Sequence, residues 1–484
     1  MTSSLPPKLL GVPRQDEPVE SEDEVDVRLS LQRRVTKGAA NAMSAMEVKN
    51  PELLRATRSY SALQCCGRAL HHSFSGDLHY KSFQTHSFDC FWSHSWHGKS
   101  WQKILLLMVV NNGLAAVITG TLSALLGMTL FYLGLLPSYR RPFQRMQATY
   151  DFGPWGFVFG CTAAFGTLLL WQSGSKVFLD RICIHQKDEG RKRDGILSLG
   201  GFLKHSRSML VLWDATYPTR LWTMFELAAF LKSHGDESHL LIRPTVLGPT
   251  AICGSLCIGF VFMAHILVST ENFLRDSLVH IAVSLIICVG FVHLLRLYCE
   301  WVETAWLQLR SFSLVDAKTH CCSSNHVDET GASIVCDREI ILECLRTWFG
   351  SEEEFELCVR SQVSLALEQG LGSKRFLLSW FLGICSCISW GFGDLAMAAL
   401  RAKDYYYALV YFLDVVVIPL AYGPFLYLSC LALGQLRRRR NTLLNYLVSL
   451  FGGLFIVLAL VVPRLLRQLM YGFLGDVLLA SALL

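Results

Sequence analysis

Ser208-Met-Leu-Val-Leu-Trp213 is an apolar run bounded by Arg207 and Asp214. Such a run, with a β-branched residue near its centre, fits a strand buried on both faces, as parallel sheets require. Upstream, Lys176-Val-Phe-Leu-Asp-Arg-Ile-Cys-Ile184 has the same strand character and then meets the polar run Gln186–Asp194. Between the two, Ile196, Leu199 and Leu203 recur at helical spacing over Gly195–His205. After the second, Thr219 is placed to N-cap a helix in which Trp222, Phe225 and Ala229 share a face. Strand, helix, strand, helix predicts a parallel α/β unit over residues 176–246, too short to close a sheet alone. The missing strand is expected in Ser87-Phe-Asp-Cys-Phe-Trp-Ser-His-Ser-Trp96, with a soluble helix after it up to Val110, so that residues 86–112 complete the unit.

The rest of the chain is apolar in long blocks. Of 484 residues, 52% are hydrophobic and 17% charged, against about 25% charged in an ordinary soluble domain. The mean hydropathy is +0.36. A purely soluble enzyme is excluded, and the net charge of +5 excludes a nucleic-acid binder resting on bulk charge. Spans of about 20 apolar residues are expected at seven places: 114–136, 155–172, 250–270, 277–295, 376–398, 406–431 and 443–462. Residues 463–484 stay open between an eighth span and an interfacial helix. Counted over alternate connections, 36 of the 44 Lys and Arg fall on one side, which predicts a cytosolic N-terminus. The first residues lack the basic start and apolar run of a secretory signal, so insertion is expected to begin internally. The 17 scattered cysteines read as reduced thiols. Residues 1–58, rich in Pro and charge, read as a disordered cytosolic arm.

Asp89-Cys-Phe-Trp-Ser-His-Ser-Trp96 resembles the first strand of Toll-type (TIR) domains, and Val177-Phe-Leu-Asp180 resembles their second. Met209–Trp213 through Tyr217-Pro-Thr-Arg-Leu-Trp-Thr-Met-Phe-Glu-Leu227 resembles their late strand and the helix bearing Trp-Cys-x-x-Glu-Leu, with Thr223 where that motif has Cys. The whole layout also resembles a much expanded group of multi-pass membrane proteins in single-celled algae. Phe178–Gln186 is similar to one strand of fungal incompatibility-type domains. The TIR resemblance implies a module built around Ser93, His94, Ser95, Trp96, Asp180 and Trp222. It implies either a scaffold that assembles with further copies of the chain or an enzyme that cleaves NAD. In the second case Glu226 is the catalytic carboxylate, stabilising an oxocarbenium-like transition state.

The expected fold class is therefore an α-helical polytopic membrane protein whose cytosolic TIR-like parallel sheet is split by a transmembrane hairpin at 114–172. The other parts are a hairpin at 250–295, a cytosolic Cys/His segment with amphipathic helices at 296–375, a hairpin at 376–431 and a terminal segment at 443–484. The bilayer is the expected partner, with no nucleic acid. In the Cys/His segment, Cys322, His326 and Cys336 have zinc-ligand chemistry, although the adjacent cysteines and the lack of a Cys-x-x-Cys pair favour plain thiols over zinc. Asp337–Phe349 places Ile340, Ile341, Cys344, Leu345 and Trp348 on one face, and Ser351 with Glu354 form a capping box. Within the apolar blocks, His265, His280, Asp394 and Asp414 are the costly groups that mark a carrier of protons or cations, or else structural hydrogen bonds. Asp394 is expected to pair with Arg401 or Lys403.

Overall fold

The structure is a computed structural model and describes residues 22–458, except 75, 144–147, 236–238, 268–272, 328–333, 373, 418–419, 421–431 and 433–440. Residues 1–21, the Arg437–Arg440 run and residues 463–484 lie outside the described residues. The chain divides into two compact units. One takes residues 1–112, 171–248 and 301–376, and the other takes 113–170, 249–300 and 377–484. Eight strands are present among the described residues: β1 Arg55–Arg58, β2 Phe83–Gln84, β3 Cys90–His94, β4 Tyr139–Phe143, β5 Ala148–Phe152, β6 Lys176–Phe178, β7 Met209–Trp213 and β8 Leu240–Pro244.

In the first unit six strands form one sheet in the order β2-β1-β6-β3-β7-β8. β6, β3, β7 and β8 run parallel, while β1 is antiparallel to both its neighbours. Ser93 pairs with Val211 and His94 with Leu212, so a strand that precedes the apolar block 114–172 lies beside one that follows it. All five residues of β7 are buried, as its composition predicts. Phe91 stacks on Phe178 at 4.7 Å, and Phe88 meets Phe178 edge-on, which fills the layer between sheet and helices. Helix Leu221–His234 buries Met224, Phe225, Leu227 and Phe230.

Several local expectations are corrected. The strand read over 176–184 stops at Phe178, because Asp180 opens a short helix and accepts the Arg181 N–H through its own side chain at 2.7 Å. Arg220, not Thr219, is the N-cap of the helix after β7; the Thr219 hydroxyl donates back to the Thr216 carbonyl instead. The soluble helix expected up to Val110 is the first part of one continuous helix, Ser100–Tyr132. Asn111 does not break it, since its side-chain amide donates to the Leu107 carbonyl one turn back, at 2.7 Å.

The disordered arm is also corrected from residue 22 onward. Helix Glu22–Ser44 buries Ala40 and Met43, and β1 joins the sheet. Composition missed this because the cover for its narrow apolar face comes from far along the chain. Trp348 on helix Asp337–Phe349 donates its indole N–H to the Ser44 carbonyl at 2.9 Å. The same helix buries the five apolar residues expected of it, with Trp348 against Phe225 at 5.3 Å, and ends at Gly350 with φ of 89°. Ser351 caps the following helix by accepting the Glu354 N–H. Gly201 matters for the approach of the arm: a Cβ there would stand 2.8 Å from the Glu47 carbonyl carbon.

Among the described residues, three helices are long and apolar enough to cross a membrane: Ser100–Tyr132, Ile281–Arg310 and Leu382–Arg401. Shorter apolar helices are Trp155–Leu170, Leu247–Met263, Tyr405–Val417 and Thr442–Leu458. The second unit packs Met128, Phe131, Phe157, Phe262 and Trp390 into one core. β4 and β5 form a hairpin between the first two helices, which the sequence did not suggest.

Gly248 faces the backbone of the long first helix. A Cβ there would lie 2.3 Å from the Leu106 amide nitrogen, an atom that cannot rotate away. Gly248→Ala is therefore expected to destabilise the protein by about 2 kcal/mol, read as a lower midpoint of thermal unfolding in detergent. An unchanged midpoint would refute the close approach.

A candidate functional site at the carboxyl end of the sheet

β3 is flanked by β6 on one side and β7 on the other, so the strand order reverses at it. In open parallel sheets the crevice outside the carboxyl ends of the strands, at such a reversal, is where sites are built. The residues there come from the loop after β3 (Ser95, Trp96, His97), the turn after β6 (Asp180, Arg181), the turn after β7 (Asp214, Thr216, Tyr217), and Lys103 and Glu226 on the two flanking helices.

The Ser93 hydroxyl donates to Glu226 Oε2 at 2.5 Å and shares a hydrogen with the Tyr217 hydroxyl at 2.7 Å. One serine on β3 thus joins a carboxyl and a phenol carried by the segment after β7. Burial pushes the Glu226 carboxyl up to about 8, against the opposing Ser93 hydrogen bond. Burial, then the adjacent Glu226, likewise holds the Tyr217 phenol far above its ordinary range.

A second network lies beside it. Trp96 donates its indole N–H to Asp180 at 3.0 Å, and the Arg181 guanidinium sits over the Trp96 ring at 4.3 Å. The Asp180 carboxyl is raised by burial and partly restored by the Trp96 bond. Lys103 is fully buried on the apolar helix, and its ammonium donates to the Ser95 carbonyl. Burial lowers it to about 8, while Asp214 and Asp180 act to keep it charged. Asp214 accepts the Thr216 N–H at 2.7 Å, and the Thr216 hydroxyl reaches Ser95 Oγ at 2.7 Å. His94 stands edge-on to Trp96 at 4.5 Å and is held neutral by burial and then by Lys103. His97, after the strand, accepts from Arg220 Nε at 3.1 Å.

The structure therefore brings Ser93, His94, Ser95, Trp96, Asp180 and Glu226 to one end of the sheet. It does not bring Trp222 there: that indole donates to Asp337 at 3.1 Å, on the side of the helix facing residues 337–349. Lys103, Asp214, Thr216 and Tyr217 were not singled out by the sequence. For Lys103 a signal existed, a lone cation inside an apolar helical stretch.

The remaining candidates lie elsewhere. Cys322, His326 and Cys336 do meet, in the first unit. Asp394 is fully buried, and the expected pairing with Arg401 or Lys403 is corrected. Its two oxygens accept the Gly156 and Phe157 N–H groups at 2.7 and 2.8 Å, capping the amino end of helix Trp155–Leu170. Arg401 instead donates to the Phe131 carbonyl at 3.1 Å. Asp414 is buried on helix Tyr405–Val417. The side chains of His265 and His280 lie outside the described residues. Comparison with protein-family models, curated proteins and solved structures finds no match for this chain.

Proposed function

We propose that this is a multi-pass membrane protein that displays a cytosolic TIR-like sheet module for signalling or assembly between copies of the chain, and that Glu226 is a structural clasp in that module. The observation that carries the non-catalytic reading is the Ser93–Glu226–Tyr217 network. A carboxylate that stabilises an oxocarbenium-like centre has to be ionised and free to face the substrate. Here one oxygen is spent on Ser93, and burial keeps the group protonated near neutral pH.

Chain parity supports the membrane topology. β3 precedes helix Ser100–Tyr132 and β6 follows it, yet the two strands pair. If that helix crosses the bilayer, a second crossing has to bring the chain back before Lys176, and Trp155–Leu170 is the apolar helix in that interval. Its 16 residues reach about 24 Å at 1.5 Å each, short but workable with local thinning. The same reasoning makes Leu247–Leu267 the outward partner of the long helix ending at Arg310, since residues 301–376 rejoin the sheet unit. Seven spans follow once Leu382–Arg401, Tyr405–Val417 and Thr442–Leu458 are counted. The bias of Lys and Arg, 36 of 44, supports a cytosolic sheet unit and N-terminus.

The test is direct. Purified protein reconstituted in nanodiscs at rising density is expected to form particles holding more than one chain, and to release no nicotinamide from NAD in either wild type or Glu226→Ala. Particles that stay single at every density would remove the assembly reading. Nicotinamide release by the wild type that Glu226→Ala abolishes would replace it with NAD cleavage.

A further inference from the structure

Four metal-binding side chains meet at a place the sheet-end site does not use. Cys321, Cys322, His326 and Cys336 each offer one ligand atom, and these atoms all lie within 4.8 Å of one another. Cys322 Sγ is 3.6 Å from His326 Nε2, 3.9 Å from Cys336 Sγ and 4.0 Å from Cys321 Sγ. A tetrahedral zinc ion, with Zn–S of about 2.3 Å and Zn–N of about 2.0–2.1 Å, sets its sulfurs about 3.8 Å apart and its sulfur and nitrogen about 3.6 Å apart. The three distances from Cys322 are close to those spacings, and the remaining ones stay within 4.8 Å.

The local fold explains how adjacent cysteines can share one ion. Helix His320–Ser323 is a single turn, and the chain then reverses through Asn325 and His326, both left-handed with φ of 53° and 60°. That reversal is held by the His326 N–H on the Cys321 carbonyl at 2.7 Å and the Ile334 N–H on the His326 carbonyl at 2.8 Å. It returns the imidazole to the Cys322 thiol and leads the chain back to Cys336. Cys336 is the N-cap of helix Asp337–Phe349, so the cluster sits at the amino end of that helix. The positive end of a helix suits a site carrying three thiolates and a net negative charge. Cys321 and Cys336 are buried while Cys322 and His326 are not fully so, and the four side chains together supply the complete ligand set that structural zinc sites use.

We propose that Cys321, Cys322, His326 and Cys336 hold one structural zinc ion. The ion ties the turn at 319–326 to the start of helix Asp337–Phe349. That helix takes the Trp222 indole through Asp337 and covers Phe225 with Trp348, so the metal fastens the segment after Arg310 onto the sheet unit. The proposal does not depend on whether Glu226 is catalytic.

The full-length protein, purified in detergent under reducing conditions without chelator, is expected to carry about one zinc per chain by elemental mass spectrometry. Zinc is expected to fall at least tenfold in Cys322→Ser and in Cys336→Ser, and to be unchanged in Cys358→Ser, whose thiol lies outside the cluster. Exchange with cobalt should give the intense visible bands of a tetrahedral site, with a thiolate-to-metal band reduced by about one third in Cys321→Ser. Where a variant fails to fold, the wild type decides alone. No zinc above background, a weak octahedral cobalt spectrum, or an intact mass showing a disulfide among these cysteines would overturn the proposal. A thiolate band unchanged in Cys321→Ser would overturn the four-ligand assignment.

Discussion

Asp394→Ala is expected to cost about 3 kcal/mol or more, enough to remove much of the folded protein. The carboxylate accepts two backbone N–H groups at the start of helix Trp155–Leu170. With the side chain gone, both donors are left in an apolar interior, and each such loss to a charged acceptor is worth about 1.5–3 kcal/mol. Asp394→Asn keeps one acceptor oxygen and is expected to lose about half as much. Thermal unfolding in detergent measures both. If the Ala variant is as stable as wild type, the cap is not what holds this residue. A carrier role resting on Asp414 would emerge if Asp414→Asn stays fully folded yet abolishes a proton- or cation-coupled flux in proteoliposomes.

Glu226 governs the second large effect, a fall in stability as pH rises from about 4.5 to about 8. The folded protein holds this carboxyl at about 8, above the ordinary 4.5, chiefly through burial. Between those values the folded state keeps a proton that the unfolded chain releases, so stability is greatest below the unfolded value and is lost up to the folded one. At about 1.4 kcal/mol per pH unit the ceiling is near 5 kcal/mol. The side chain is only partly enclosed, so solvent screening leaves about 2–3 kcal/mol. Glu226→Gln retains an acceptor for the Ser93 hydroxyl and cannot ionise, so the part of the fall that Glu226 causes should be absent and its pH slope shallower than that of wild type. Urea unfolding at pH 5 and pH 8, followed by tryptophan fluorescence, checks this. Equal pH slopes in the two proteins would show that Glu226 is not the buried neutral group described. Lys103 is lowered to about 8, and its contribution lies above that pH, where stability is regained as the free amine becomes the common form.

The parts of this fold legible in the sequence are those set by local composition. β7 announced itself as an apolar run, β3 as an aromatic one, and the helix with Trp348 by its 3.6-residue spacing. What was not legible depends on a distant partner. β1 and β2 have four and two residues, too few for a pattern, and they exist because β6 offers an edge. The helix Glu22–Ser44 reads as a solvated arm until helix Asp337–Phe349 is placed beside it. Asp394 looks like a membrane charge seeking a cation, and its partners are amides more than two hundred residues away. At the candidate site the β3 residues and Glu226 were visible through a resemblance. Tyr217, which closes the clasp, was not, because its hydrogen bond to Ser93 leaves no trace in residue order, whereas Lys103 did leave one, as a lone cation in an apolar helical stretch.

The division of the sheet by apolar helices has a consequence for biosynthesis. If Ser100–Tyr132 and Trp155–Leu170 cross the bilayer as proposed, β3 must wait without its parallel neighbours until that pair has been threaded out and back, because only then does β6 arrive on the same side. A nascent chain that skipped one crossing would strand the two edges in different compartments and expose β3 to proteolysis. On the proposed topology the sheet is thereby a proofreader of insertion, assembling only for those molecules whose helices entered the bilayer in the right number.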